Sequence, residues 1–331
     1  MQSIEQYTNQ QYIEICLANT VRGMDRKTWT KRLGLAYEIL NKDCSVAELL
    51  AEYDVKEPIM FRKIYSYIKS NKPVGEFTGS LDFTASGLQL LAIGTGCIKT
   101  AERTNLIFTN NREDAYEYAA KEMTETLGEE VTRDIIKNPL MTTFYGSTQK
   151  PLELLGQEAM PAYQDLLENS FTGAYLGFQL IQQCWNKETT SHEFYMPDGF
   201  HVVLPVTEVK TVEIEYEKWG VKIPYSYSVE TKQDKGISLA ANVVQAMDGY
   251  VCREIIRELH EDGVPVWPIH DCFMVKIKHM EHLRLVARKV LAKVCKQNLL
   301  VDILSQLTGE DQDFEKVDLS QSIEMAEYIL S

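Results

Sequence analysis

Two carboxylates, Asp82 and Asp271, each stand where an apolar run breaks. Asp82 closes "GSLD", and Thr84-Ala85-Ser86-Gly87 then turns into an apolar helix start, "LQLLA". Asp271 follows His270 inside "VWPIHDCFMVKI", Val266 to Ile277, which reads as two apolar strands with an ionisable pair at their junction. A lone carboxylate in such a place is costly without a partner or a metal. A carboxylate at a strand end is well placed to hold a cation. The plainer alternative for Asp82 is an Asp near a helix N-terminus. A His-Asp dyad also marks some helical metal phosphohydrolases. Those need further His and Asp ligands on helices, whereas here the context is strand and turn.

Between the carboxylates lies "VTRDIIKNPLMTTFYGS", Val131 to Ser147. Arg133, Lys137, Met141 and Tyr145 recur every four residues, so on a helix they share one slowly drifting face. Two cations one turn apart make a clamp for a polyphosphate. The Tyr145 hydroxyl, two turns on and roughly 12 Å from Lys137 by helical rise, can reach the sugar of the same nucleotide. Gly146 ends the helix. Pro139 removes a backbone hydrogen bond and favours a kink. The plainer alternative is an amphipathic helix with a solvated basic end.

Taken together, two strand-end carboxylates and a basic-aromatic helix are the set that two-metal nucleotidyl transfer requires. One Mg²⁺ activates an attacking 3′-hydroxyl and the other holds a triphosphate. Mg²⁺ takes a few carboxylates and completes its shell with phosphate oxygens. A cationic helix neutralises the leaving pyrophosphate.

The elements that must position these groups are legible in outline. Residues 1 to about 75 look helical, and Phe77 to Phe83 turn strand-like. Asn111 to about Trp185 is helical again. "TVEIEYEKWGVKIPYSYSVE", Thr211 to Glu230, alternates on both sides of Lys218-Trp219-Gly220 and reads as a β-hairpin. A helix from "AANVVQAMDGY" follows, then the strand pair of Asp271, a helix from about His282 and an acidic tail. The fold expected is α+β, a small antiparallel sheet carrying the chemistry with a helical insert. Three regions are expected, 1–110, 111–244 and 245–331. No run of about 18 apolar residues occurs, which argues against a membrane span. The first residues lack the basic-then-apolar layout of a secretory signal. Seven cysteines without a C-x-x-C pair read as reduced, cytosolic and mostly buried, and six scattered histidines show no zinc spacing. The net charge of −14 argues against autonomous grip on duplex DNA.

The three stretches resemble motifs A, B and C of the single-subunit DNA-directed RNA polymerases of phages and mitochondria. Asp82-Phe83-Thr84-Ala85-Ser86-Gly87-Leu88-Gln89 resembles motif A. Arg133, Lys137, Met141, Thr142, Tyr145 and Gly146 resemble motif B, and His270-Asp271-Cys272-Phe273 resembles motif C. Weaker similarity covers "ANTVRGMDRKTWTKRL", "MPDGF", "ANVVQAMDGY" and the tail "LSQSIEMAEYILS". The resemblance implies a right-hand polymerase palm and fingers, with Mg²⁺ (two ions) held by Asp82, Phe83 and Asp271. It implies that Arg133, Lys137 and Gly146 contact a ribonucleoside triphosphate, with Lys137 a proton donor to pyrophosphate. Tyr145 would select ribose, Arg26 would contact triphosphate, and His270 would support the primer end. The hairpin falls where the family contacts promoter DNA.

The related DNA polymerases share the Lys-to-Tyr spacing and the His-Asp pair. They carry a bulky Glu five residues after the first Asp, where this chain has Gly87, and a Glu where it has Cys272. Losing that block favours ribonucleotides. Gln245 stands where the family has a His. The family's hybrid-binding motif, promoter domain and thumb find no counterpart. The chain is therefore expected to be the catalytic subunit of a heterodimer, similar to the split polymerase of the N-four group of phages. A second subunit would supply the missing parts and positive charge. Its other partners would be DNA template, RNA product and a single-strand DNA-binding protein, with no membrane. Its place would be the cytoplasm of an infected bacterium. A catalytically inactive scaffold and a metal-dependent nucleotide hydrolase are the readings from other classes.

Overall fold

The structure, a computed structural model, describes residues 5–70, 72–109, 111–147, 149–216, 219–236 and 238–331. The chain opens with four helices, α1 (Asn9–Asn19), α2 (Trp29–Asn41), α3 (Val46–Glu52) and α4 (Pro58–Ile68). Their starts are written in the sequence. Thr8 and Gln11 form a capping box on α1, Ser45 and Glu48 another on α3, and Pro58 begins α4. Strand β1 (Thr78–Asp82) then leads into α5 (Ser86–Thr95) and α6 (Ile98–Arg103). Five helices follow: α7 (Ala115–Leu127), α8 (Arg133–Phe144), α9 (Gln149–Leu155), α10 (Met160–Ser170) and α11 (Thr172–Gln183).

Two antiparallel hairpins come next, β2 (Ser191–Tyr195) with β3 (His201–Pro205), and β4 (Thr207–Tyr216) with β5 (Val221–Glu230). The second is the expected hairpin, but its ladder starts four residues earlier, with Thr207 paired to Glu230. Lys218 at its tip lies outside the described residues, as do residues 1–4, 71 and 110 of the first region. Helix α12 (Ser238–Glu261) runs unbroken across residues 244 and 245. The last elements are β6 (Trp267–Ile269), β7 (Cys272–Lys276), α13 (Met280–Lys296), α14 (Leu299–Thr308) and α15 (Ser320–Glu324).

The fold is thus α+β with small antiparallel sheets. One of them is three-stranded, in the order β1-β7-β6. Thr78 pairs with Lys276 and Asp82 with Cys272. Period-two alternation gives this sheet two unlike faces. Gly79 and Leu81 of β1, with Phe273 and Val275 of β7, are buried. That face is pressed on α1 and α13 so closely that a Cβ on Gly79 would meet Cys16, Ile277 and Met280 within 3 Å. Thr78, Ser80, Asp82, Cys272 and Met274 face a cleft. Residues beyond α15 complete the sheet on the far side of β1. Phe83 bridges Leu330, and the Ser331 N–H donates to the Asp82 carbonyl at 2.9 Å.

Helix α5 is apolar nearly all round and accordingly buried, with α11, α12 and α14 against it. Among the described residues no helix is long and apolar enough to cross a membrane. All seven cysteines are free thiols. Only Cys184 and Cys295 are buried, which corrects the expectation that most would be. Cys252 and Cys272 are half-buried because they border the cleft.

Candidate active site

The cleft holds about 1080 Å³. Its floor is the open face of the three-stranded sheet, and α5, α8 and α12 contribute walls. Asp82, Phe83, Gly87, Arg133, Lys137, Tyr145, Gln245, His270, Asp271 and Arg26 all line it. Gly146 does not. It is buried with φ 84, and its N–H donates to the Thr143 carbonyl at 2.9 Å, so it serves to end α8.

The two carboxylates are brought together by strand pairing. Asp82 is the last residue of β1 and pairs across the ladder with Cys272. Asp271 immediately precedes Cys272, in the two-residue connection between β6 and β7. The Phe83 N–H donates to the Asp271 carbonyl at 3.2 Å, which ties the two turns directly. His270 reaches this connection only by adopting φ 55, a left-handed conformation that non-glycine residues take rarely. Asp82 is no helix cap: the cap position of α5 is Ala85, without a side-chain hydrogen bond. Phe83 turns its ring into the core against Phe273, at a centroid distance of 6.0 Å, so its backbone carbonyl is the one ligand it has to offer.

Opposite stands α8. Its basic end is not a solvated face. Arg133 Nε meets Asp114 Oδ2 at 2.8 Å, with side chains only 18% and 7% exposed. The other Asp114 oxygen caps α7 by accepting from the N–H groups of Tyr116 and Glu117. The Tyr116 ring lies 5.1 Å from the Arg133 guanidinium and 5.9 Å from the Lys137 ammonium. One short segment therefore presets both cations. Pro139 does not break α8. It is buried, and the hydroxyls of Thr142 and Thr143 donate to carbonyls of the turn around it. The Arg133-Lys137-Tyr145 register survives.

Gly87, at the start of α5, lies where a Cβ would sit 3.3 Å from Val244 Cγ1 and 3.9 Å from the Tyr145 hydroxyl. A larger side chain there would project into the space beside that hydroxyl. The turn before it is fixed by a buried polar cluster. Thr84 Oγ1 donates to the Thr104 carbonyl at 2.8 Å and accepts from Gln89 and Asn105. Asn105 exchanges hydrogen bonds with the backbone of Glu113, which carries the loop towards Asp114.

Asp248, Arg112, Asp114 and Tyr116 are among the cleft residues that escaped the sequence reading. Asp248 lies one helical turn beyond Gln245 on α12 and faces the same cleft as Ser86. An acid on the Val244 side of a largely buried helix was the available signal. Arg112 donates through Nε and an amino group to Ser331 Oγ at 3.2 and 3.0 Å. Burial lowers its pKa from the ordinary arginine value.

Burial, and then repulsion from Asp271, raise Asp82 to about 6; Lys137 pulls it the other way. Burial and Asp271 likewise raise Asp248 to about 6. Burial also pushes Tyr145 up, helped by Asp248 and Asp271, so its hydroxyl stays protonated as a donor. The donor set around the carboxylates is oxygen-rich and hard, suited to Mg²⁺. Among the described residues no group of three or more His, Cys, Asp or Glu side chains encloses a metal. An ion here would draw remaining ligands from water or substrate.

The raised carboxyls bear on stability. Both bind their protons more tightly in the folded chain than in the unfolded one. Folding stability is therefore greatest below about pH 4 for these groups and falls as pH rises through about 6. Two pKa units correspond to about 3 kcal/mol, which solvent in an open cleft reduces to on the order of 1 kcal/mol. Asp82→Asn should melt a few degrees above the parent at pH 7.5, in the absence of divalent ions. The gap should close towards pH 4. Thermal melts of the pair across that range check it, and equal melting at pH 7.5 contradicts it.

Comparisons with protein-family models and with curated proteins find no match for this chain.

Proposed function

We propose that the chain makes RNA on a DNA template by nucleotidyl transfer from ribonucleoside triphosphates, as the catalytic subunit of a split DNA-directed RNA polymerase. One observation carries the reading. Asp82 and Asp271 meet at one end of a sheet, and the cleft above them is also lined by Arg133, Lys137 and Tyr145. In this reading the sheet is a polymerase palm and α7 to α11 are the fingers.

Asp82, Asp271 and the Phe83 carbonyl would hold Mg²⁺. When bound, the ions polarise the α-phosphate and activate the 3′-hydroxyl. The protein's own groups do the rest. Arg133 and Lys137, preset on Tyr116, hold the triphosphate in line for attack. As the 3′-oxygen bonds to the α-phosphorus, the bond to the pyrophosphate oxygen breaks. Lys137 gives that oxygen a proton or compensates its charge. Arg26 reaches the cleft from the N-terminal helices and adds a further cation for phosphate. His270 and Gln245 border the space for the primer end and the sugar.

Gly87 favours ribonucleotides over deoxyribonucleotides, since it leaves room beside the Tyr145 hydroxyl. Tyr145→Phe should lower the preference for ribose about tenfold by deleting one hydrogen bond to the substrate. Gly87→Glu should lower ribonucleotide use by at least as much while sparing deoxyribonucleotides. Competition between the two substrates in single-nucleotide addition measures both. An unchanged ratio in either variant removes that residue from sugar selection.

The net charge of −14 supports a second, basic subunit, and a single-strand DNA-binding protein would assist promoter opening. The reading is tested by extension of an RNA primer annealed to DNA, with Mg²⁺ and either ribo- or deoxynucleotides. Ribonucleotide addition that needs Asp271 is expected. No addition even with the second subunit present overturns the catalytic reading. Full activity from a stable, monomeric chain alone overturns the split.

A further inference from the structure

The ribbon β4–β5 is twenty residues of ladder exposed along almost its whole length. A two-stranded hairpin is marginal in water unless something covers it. Its two faces differ sharply. On one, cross-strand pairs set Val212 against Tyr225, Ile214 against Ile223 and Tyr216 against Val221. Tyr227 continues this face, stacked on Tyr225 with ring centroids 6.0 Å apart. These side chains are 39% to 54% exposed, far beyond scattered surface apolar residues. The other face is polar apart from Val209 and Pro224. Thr211 and Ser226 share a hydrogen bond at 2.9 Å, and Lys222 meets Glu213 at 3.4 Å.

The charge of the ribbon decides what its apolar face can hold. Residues 207–230 contain five glutamates, three lysines and no arginine. A ribbon that reads DNA needs cations for phosphate and forked donors for base edges. This one repels a polyanion. A second copy of the chain would bring another net −14 to the contact. Pro224 withholds a backbone donor from β5, which disfavours strand addition at that edge. What remains is docking through the face. We infer that the apolar face of β4–β5 is the seat of a second polypeptide, one with an apolar strip bordered by lysine and arginine. The inference rests on the split-enzyme reading and gives the second subunit a place, in exchange for promoter contact by this hairpin.

A photo-crosslinking amino acid placed at Ile223 or at Ser226 tests it, in extracts of the cells that naturally make the chain. Residue 223 should trap one basic polypeptide that residue 226 does not. That polypeptide, purified, should bind the full chain, and Ile223→Glu should weaken binding at least tenfold while Ser226→Glu leaves it within threefold. Crosslinks from 223 to DNA or to a second copy overturn the inference. So do no crosslink at all, or equal effects of the two substitutions. A complex that forms through residue 223 yet extends no primer upholds the docking face and overturns the polymerase reading instead.

Discussion

Asp271→Asn should reduce ribonucleotide addition by at least about a thousandfold while leaving the protein folded. The size follows from what is removed. A carboxylate that helps anchor ions stabilising charge in the transition state supplies several kcal/mol, and each factor of ten is about 1.4 kcal/mol. Asn keeps the shape and loses the charge. The connection is held by backbone, since the Phe83 N–H donates to the Asp271 carbonyl rather than to its side chain. The β6–β7 turn should therefore survive. Asp271 also raises Asp82 and Asp248, so its neutralisation should relieve repulsion and keep the melting temperature at or above that of the parent. Single-turnover addition rates and a thermal melt together check the claim. The double variant with Asp82→Asn should be hardly worse than either single one, because the pair acts as a unit. Residual activity above about one tenth of the parent would remove Asp271 from the chemistry.

The second large effect falls on Lys137. Lys137→Met should lower kcat/KM for the nucleotide by about a hundredfold to a thousandfold, the usual scale for one donor aimed at developing charge. Met preserves the stem that crosses Tyr116 and removes the ammonium. Lys137→Arg should recover part of the loss, since charge remains while the donor geometry changes. Arg133 cannot compensate fully, because Asp114 already engages its Nε at 2.8 Å. Asp114→Asn should accordingly act through Arg133, raising KM more than it lowers kcat. Nucleotide titrations under single-turnover conditions separate these terms. A Lys137→Met enzyme within fivefold of the parent would end the case for this residue.

Much of this site was legible because its strongest signals are local. A strand that stops at an acid, a turn of small residues and an apolar helix start are readable within one stretch. The same holds for cations and a tyrosine at a spacing of four. What stayed hidden depends on tertiary approach. Asp114 looks like any Asp before a helix, and it is one; its second oxygen on Arg133 appears only when α8 packs beside α7. Asp248 was obscured by the periodicity around it, since a long amphipathic helix accounts for its neighbours without reference to a cleft. Pro139 warned of a kink that burial and two threonine hydroxyls absorb. The hairpin was found from its alternation. Its unequal faces needed the register, which pairs Val212 with Tyr225 and Thr211 with Ser226.

The end of β1 also has a history in time. Asp82 leaves the ribosome well before either of its neighbours in the sheet, the strand Cys272–Lys276 on one side and residues 329–331 on the other. Asp82 and Cys272 stand 190 residues apart and Phe83 and Leu330 stand 247 apart, so closing this small sheet is a strongly non-local step in folding. A growing chain can form its helices as they appear, yet holds Leu81 and Phe83 without their cover until β7 and residues 329–331 have been made. Translation thus works as a timer on this cleft: until residue 271 is made, the chain has the cations of α8 and lacks the Asp271 carboxylate.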